Sequence, residues 1–222
     1  MKKTVLILAI LMTVSNIRAA INPQYGFEDK LPSFLSVNGD AAIELSSDKF
    51  KEGKHSVRFT WNGPSELVFS NFADIESSLK VNDAGIMMWV YNTEPMKDPL
   101  RFTILDWNMN EICHFDFNAD FKGWRAIWMK YIDMLTPTGH YGDLKLKDRA
   151  TGAAGMIMKV PESSPSGTIY IDRVTFSRTR LHNQITPDKQ IPENNYNLER
   201  DMWQWCRLWE WEQYPIWSIS PV

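Results

Sequence analysis

Cysteine is scarce in this chain: only Cys113 and Cys206 occur among 222 residues. Two thiols exclude the multi-bridge framework on which many small secreted domains depend. A single bridge between them remains open, and no spacing pattern supports it. Long apolar runs are also few, and the run at residues 5–14 is too short to cross a bilayer comfortably.

That apolar run belongs to a segment with the order of parts of a secretory leader. Lys2 and Lys3 precede it, and the small residues Ala19 and Ala20 close the segment. We therefore predict a signal peptide over residues 1–20 and a secreted or periplasmic mature protein. A membrane anchor is the alternative interpretation.

The chain has no excess of basic residues. Its formal net charge is −3, and removal of the leader would leave 21 basic residues facing 27 acidic ones. A net negative charge argues against unspecific binding to polyanions. An acidic ligand would need a local basic patch.

Recognisable catalytic motifs are missing as well. The sequence has no G-x-S-x-G elbow, no phosphate loop, no Cys–His pair and no cluster with metal-ligand spacing. None of its four histidines lies in a recognisable catalytic constellation; they are His55, His114, His140 and His182. We expect no catalytic residues in this chain.

Alternating apolar residues instead indicate strands between about residues 24 and 177. In residues 56–61, for example, Val57, Phe59 and Trp61 alternate with polar side chains. Residues 85–91 are apolar on both faces, which is typical of a central strand. About ten short strands separated by turn signals, such as Asn38-Gly39 and Asn62-Gly63-Pro64, predict an all-β, two-layer antiparallel β-sandwich.

The character of the chain changes after residue 178. Residues 179–197 are polar and contain prolines, which predicts a linker. Residues 198–213 then have helical spacing, with Trp203 and Trp211 lying off the main apolar stripe. A helix apolar over so much of its circumference needs partners on several sides. We predict a short C-terminal helix, and residues 198–222 as the start of a further helical domain.

One predicted strand carries both aromatic and basic residues. By period-two alternation, Trp124, Trp128 and Lys130 share one side of residues 123–130, and Arg125 lies on the other. Aromatic faces can stack on sugar rings, and basic side chains bind sulfate and carboxylate. The predicted glycan-binding residues are therefore Trp124, Trp128, Lys130, Arg125 and Arg101. Burial of the two tryptophans in the core is the alternative, and weaker candidates are Lys122, Arg58, Tyr91 and Trp107.

Three motifs resemble the jelly-roll carbohydrate-binding modules of secreted polysaccharide-degrading enzymes. They are "YGFED", "SSDKFKEGKHSVRFTW" and "GTIYIDRVTFSR". The resemblance implies a jelly roll and a structural calcium ion held by Glu28 and Asp172, with Asp48 as a further ligand. Hard carboxylate oxygens are the ligands that Ca²⁺ takes. The alternative is that these are ordinary strand-end carboxylates.

A closer resemblance is to the N-terminal domain of chondroitin sulfate ABC lyases. "MMWVYNTEP", "FKGWRAIWMKY" and "GTIYIDRVTFSRTR" resemble strands of that domain in the same order, and "LHNQITPDKQIPENN" resembles its linker. The resemblance implies a jelly-roll domain at residues 21–178 that holds chondroitin or dermatan sulfate. It also implies catalytic residues in a following helical domain, of which residues 198–222 would be the start.

Two other interpretations remain open from the sequence. The chain could be a non-functional fragment of a disrupted lyase gene. It could also be a docking module whose Trp-rich C-terminal helix binds another protein, because exposed apolar surface marks such interfaces.

Overall fold

A computed structural model of the chain describes residues 24–70, 72–81, 84–145, 149, 152–177 and 190–191. For six of these residues it describes the backbone alone: Gln24, Phe72, Trp128, Ala154, Gln190 and Ile191. The predicted signal peptide and the predicted C-terminal helix lie outside the described residues, as does most of the predicted linker. In the described part of the chain, no helix is long and apolar enough to span a membrane.

The described elements are almost all strands. They are β1 (Gln24–Tyr25), β2 (Leu35–Ser46), β3 (Ser56–Phe69), α1 (Phe72–Leu79), β4 (Gly85–Asn92), β5 (Leu100–Asp106), β6 (Glu111–Phe117), β7 (Gly123–Lys130), β8 (Leu135–Thr136), β9 (Gly139–His140), β10 (Ala153–Lys159), β11 (Ser166–Phe176) and β12 (Gln190–Ile191). Short 3-10 turns at Tyr131–Asp133 and Tyr141–Asp143 complete the set.

Within the described residues, these strands form one curled sheet in which neighbouring strands pair antiparallel. Its order is β12-β7-β4-β11-β3-β10-β5-β6-β8-β9, with β1 beside β11 and β2 beside β3. The long strand β3 pairs with β11 through its first half and with β10 through its second half. Strand β3 therefore passes from one layer to the other, and the sheet closes on itself as a jelly-roll sandwich.

The main core lies between the two layers. Phe59, Val90 and Ile171 enter it from one layer, and Phe102 and Phe117 enter it from the other. All five side chains are fully buried. The inward residues are the apolar positions of the alternating pattern, so the predicted all-β, two-layer sandwich is confirmed.

The two glycine-containing turn signals were interpreted wrongly. Gly39 lies inside β2 at a register shift, and Gly63 lies inside β3. A Cβ atom on Gly39 would lie 2.3 Å from the Pro64 carbonyl oxygen. Glycine here permits the close approach of two strands that bend together between the layers, so the residue marks a bulge and not a chain reversal.

Helix α1 was not predicted from the sequence. It buries Ile75 and Leu79, four residues apart, against the main core. Ser78 Oγ lies 2.6 Å from the Tyr131 hydroxyl, which ties the helix to the end of β7. A helix of two turns carries too short a pattern to stand out among strands.

Candidate functional site

A row of aromatic side chains crosses the first layer on the face that points away from the main core. The strand register places Tyr170 of β11 beside Tyr91 of β4, and Tyr91 beside Trp124 of β7. The ring centroids of Tyr91 lie 5.9 Å from those of Tyr170 and 5.3 Å from those of Trp124, both edge to face. Trp89 and Ala126 join these residues in a second cluster that is separate from the main core.

Two lysines of the segment before β3 lie over this aromatic row. The Lys49 ammonium is 5.1 Å from the centroid of Tyr91, and the Lys51 ammonium is 4.5 Å from that of Trp89. Lys51 is also 5.9 Å from the Trp124 ring. Such cation–π contacts fix ammonium groups on an aromatic surface without neutralising their charge.

Arg58 extends the row at its other end. It lies opposite Tyr170 in the β3–β11 register and opposite Glu44 in the β2–β3 register. Its Nη1 donates to Glu44 Oε1 at 2.9 Å. Its Nε is buried and has no hydrogen-bond partner among the described residues. The Arg58 side chain as a whole is 36% exposed, so its charge can act on an anionic group at the surface.

The aromatic rings themselves are not open to solvent. Trp124 is 3% exposed, Tyr91 5% and Tyr170 6%. Burial raises the pKa of the Tyr170 hydroxyl, which keeps it a neutral donor. Trp124 was predicted as part of an exposed sugar platform, with burial in the core as the alternative. It is buried, in the small cluster on the face that points away from the main core.

The predicted division of β7 into two faces is confirmed. Trp124 and Lys130 alternate with Arg125, whose neighbour Ile127 lies in the main core. Arg125 is 6% exposed, and its guanidinium lies 4.1 Å from the centroid of Phe121. It also donates to the Asn118 carbonyl at 3.3 Å. Arg125 therefore points away from the aromatic row and does not share a site with Trp124. For Trp128 only the backbone is described, and it lies opposite Met87.

Arg101 lies in the other layer. It pairs with Asp116 across β5 and β6, where its Nε and Nη2 donate to the two carboxylate oxygens at 2.8 and 2.9 Å. This bidentate contact with Asp116 raises the pKa of the Arg101 guanidinium and satisfies two of its donors. The structure therefore does not bring Arg101 to Trp124, because sequence alternation cannot tell which layer a strand joins.

Two of the three predicted calcium ligands converge on one loop. Asp172 Oδ2 accepts backbone N–H groups of Lys51 at 2.7 Å and Glu52 at 2.9 Å, and Glu28 Oε2 accepts that of Lys54 at 2.8 Å. A Cβ on Gly53 would lie 1.8 Å from Glu28 Oε1, so the loop and the carboxylate are in tight contact. These carboxylates hold the loop that carries Lys49 and Lys51 over the aromatic row.

The chemistry of this pair fits a hard cation in part. Burial raises the pKa of Asp172 to about 8, and the nearby Glu28 charge adds to that effect. A bound cation would offset both the burial of the Asp172 carboxylate and its repulsion from Glu28. Asp48 does not complete the set, since no group of three or more His, Cys, Asp or Glu residues in the described part of the chain is arranged to hold a metal. Glu28 and Asp172 would then supply two ligands, with other oxygens required for the rest.

Several residues of the face that carries the aromatic row were not predicted from the sequence. Tyr170 lies within a predicted strand, but only the register shows that it lies beside Tyr91. Trp89 precedes Tyr91 by two positions on β4, so alternation places both side chains on one face. Lys49 and Lys51 lie in a turn segment, where no periodicity assigns a direction. The available signal was the motif that contains both lysines, "SSDKFKEGKHS".

Comparison with known proteins identifies the family. A family model described as "Lyase, N terminal" matches residues 22–193. The chain belongs to this family of lyase N-terminal domains. The whole aromatic row and its cations lie within the matched residues.

Curated relatives of this lyase N-terminal domain agree with the family. The chain is 26% identical over 174 residues to a chondroitin sulfate ABC exolyase of Proteus vulgaris, and 24% identical over 173 residues to one of Bacteroides thetaiotaomicron. The alignments cover 77% and 76% of this chain but only 16% of each relative. The chain thus spans about a sixth of the length of these relatives.

Solved structures share the fold. A family 11 carbohydrate-binding module of a Clostridium thermocellum cellulase superposes with a TM-score of 0.50 at 14% sequence identity. The superposition covers 73% of this chain and 98% of the module. At this identity the likeness establishes the β-sandwich fold of the lyase N-terminal domain.

Proposed function

We propose that this lyase N-terminal domain binds a sulfated glycosaminoglycan, chondroitin or dermatan sulfate, on the face that carries the aromatic row. Family membership and the carbohydrate-binding-module fold support a carbohydrate-binding role. The curated relatives are named as chondroitin sulfate lyases, which supports this choice of polymer.

The observation that carries the proposal is the set of cations around the row. Lys49 and Arg58 flank Tyr91 and Tyr170, and Lys122, which donates to Glu94 Oε1 at 2.8 Å, lies nearby. In a chain with net negative charge, this is the local basic patch that an acidic polymer needs. Because the rings are buried, the polymer meets the cations first, and the rings hold those cations in place.

The test is a calorimetric titration of the chain with chondroitin sulfate at low and at physiological salt. Saturable binding that weakens with salt is expected, because exposed charge pairs are screened. Arg58→Gln should weaken binding about tenfold, the loss of one charge-assisted contact. Arg101→Gln is the matched control and should bind like the wild type, since Arg101 pairs with Asp116 in the other layer. Equal effects of the two substitutions would contradict this placement.

We also propose that the chain has no lyase activity of its own. β-Elimination from a uronate needs a base, an acid and a group that neutralises the carboxylate. None of the three described histidines lies in such a set: His114 lies against Glu111, His55 lies 3.9 Å from Glu28, and His140 caps the short turn at Tyr141–Asp143. Incubation with chondroitin sulfate should release no unsaturated uronide at its absorbance band, and turnover by the purified chain would refute the proposal.

We also propose that the chain is exported, because a glycosaminoglycan polymer lies outside the cytoplasm. The leader-like residues 1–20 support this step. Cell fractionation followed by N-terminal sequencing should find the mature chain outside the cytoplasm and beginning near Ile21. A cytoplasmic chain that retains Lys2 and Lys3 would contradict it.

A further inference from the structure

Among the described residues, the turn between β5 and β6 carries the two most exposed large apolar side chains. Trp107 is 59% exposed and Met109 is 67% exposed. An exposed aromatic ring of this size leaves a large apolar area in water, which contact with a ligand would cover. The turn lies in the layer opposite the aromatic row.

The turn is held in one conformation. The Asp106 carboxylate accepts the backbone N–H groups of Asn108 and Asn110, both at 2.8 Å, and the Asn110 side-chain amide at 3.2 Å. These contacts lower the pKa of Asp106, so the carboxylate stays charged and keeps its bonds. Met109 adopts a left-handed φ of 63°, which completes the tight reversal.

The indole of Trp107 is also supported from one side. Gly152, with a φ of +98°, approaches the ring so closely that a Cβ would lie 2.7 Å from Trp107 Cδ1 and 3.0 Å from Nε1. Any larger residue would displace the ring. Trp107 is thus both fixed and exposed, and a ring fixed before binding loses less conformational freedom when a ligand arrives.

We propose that Trp107 is a second sugar-binding site, for an uncharged pyranose. Its exposed ring stacks on the apolar face of one sugar, and the exposed Asn108 amide offers a donor and an acceptor to its hydroxyls. The charged residues within the hairpin segment 105–111 are carboxylates, Asp106 and Glu111, and they disfavour sulfate and uronate groups.

The size of the patch selects a sugar over a protein partner. Two side chains on one turn, flanked by amides and carboxylates, fall short of the apolar area of a stable protein interface. One aromatic ring is sufficient to stack on one pyranose. This site does not depend on the sulfated-glycan proposal, since it uses a different layer and a different chemistry.

The probe is chondroitin that has been desulfated and carboxyl-reduced, an uncharged polymer, compared with chondroitin sulfate by affinity electrophoresis of the full chain. The wild type should bind the neutral polymer equally well at low and high salt. Trp107→Ala should weaken that binding about tenfold or more. Trp107→Phe, which keeps an aromatic ring, should retain most of it.

Two control variants separate this site from charge elsewhere in its layer and from surface apolarity in general. Arg101→Gln should leave neutral-polymer binding unchanged, and so should Leu135→Ala, which truncates another exposed apolar side chain. Equal melting temperatures would show that each variant is folded. The proposal is overturned if the wild type does not bind the neutral polymer, or if Trp107→Ala binds it as the wild type does. It is also overturned if Trp107→Ala changes only self-association or binding to another protein.

Discussion

Asp172 is a carboxylate that the fold buries completely while three backbone N–H groups point at it. Its protonation is therefore part of the stability of the fold. Burial is the larger influence and raises its pKa to about 8, while the N–H groups act in the opposite direction. This one residue links the predicted calcium pair to the lysines that cover the aromatic row.

Without a bound cation, stability should fall as pH rises from about 4 to about 8. The folded-state pKa of Asp172 lies above its ordinary value, so the folded state binds the proton more tightly than the unfolded state does. The stabilisation is complete at low pH and is lost through this window, on the order of 2–5 kcal/mol. Thermal melts of the chain in a chelator across this range would measure it, and Asp172→Asn should remove most of the slope.

Calcium should reverse this dependence if Glu28 and Asp172 hold it. A divalent cation favours the ionised carboxylates, so the melting temperature near pH 8 should rise in millimolar CaCl₂ and fall again on chelation. Glu28→Gln should reduce the rise. Identical melting curves in calcium and in chelator, at a pH where Asp172 is ionised, would exclude a structural calcium at this pair.

At the scale of elements, the pairing of β4 with β7 builds the face that carries the aromatic row. Their register sets Tyr91 beside Trp124 and places Gly85 opposite Lys130. A Cβ on Gly85 would lie 2.0 Å from the Met129 carbonyl oxygen, so the two backbones approach as closely as glycine allows. The sequence shows Gly85 before an apolar run. The close backbone contact that this glycine permits depends on which strand pairs with β4.

Gly85→Ala should therefore destabilise the fold by about 2–3 kcal/mol, because the added methyl meets backbone that cannot move aside without parting the strands. It should also weaken glycan binding, since the pairing positions the row. Gly26→Ala is the control: a Cβ there meets nothing within 4 Å, and we expect a change within about 0.5 kcal/mol. Denaturant unfolding of both variants would check this, and equal effects would contradict the steric argument.

At the scale of the whole molecule, one main core joins both layers, while the aromatic row forms a separate small cluster. Phe102 and Phe115 stack at 4.8 Å within the main core, next to residues contributed by β3 and β10. A shared core predicts that the two layers cannot unfold independently.

Phe102→Ala should cost about 3–5 kcal/mol, since its ring is fully buried and leaves a cavity. Near-ultraviolet circular dichroism, which includes the aromatic row, and far-ultraviolet circular dichroism should show one coincident transition at a lower temperature. Separate transitions by the two probes would mean that the layer with the aromatic row is stable without the other layer.

Several features of the molecule follow from the sequence alone, because they depend on local pattern. Alternation places Val57, Phe59 and Trp61 inward and separates Trp124 from Arg125, since side chains of a strand alternate whatever lies beside it. The order of the motifs along the sequence was sufficient to predict the family, whose model matches most of the chain.

Only the tertiary structure decided which residues share a site. Arg101 resembles Arg58 in sequence, yet β5 joins one layer and the first half of β3 the other. Gly39 and Gly63 indicate turns locally, but the pairing of β2 with β3 converts them into a bend within strands. Lys49 and Lys51 reach the aromatic row because a carboxylate 121 positions beyond Lys51 in the chain binds their loop. Pairing between distant strands sets these outcomes, and a local pattern contains no information about which strand will be the neighbour.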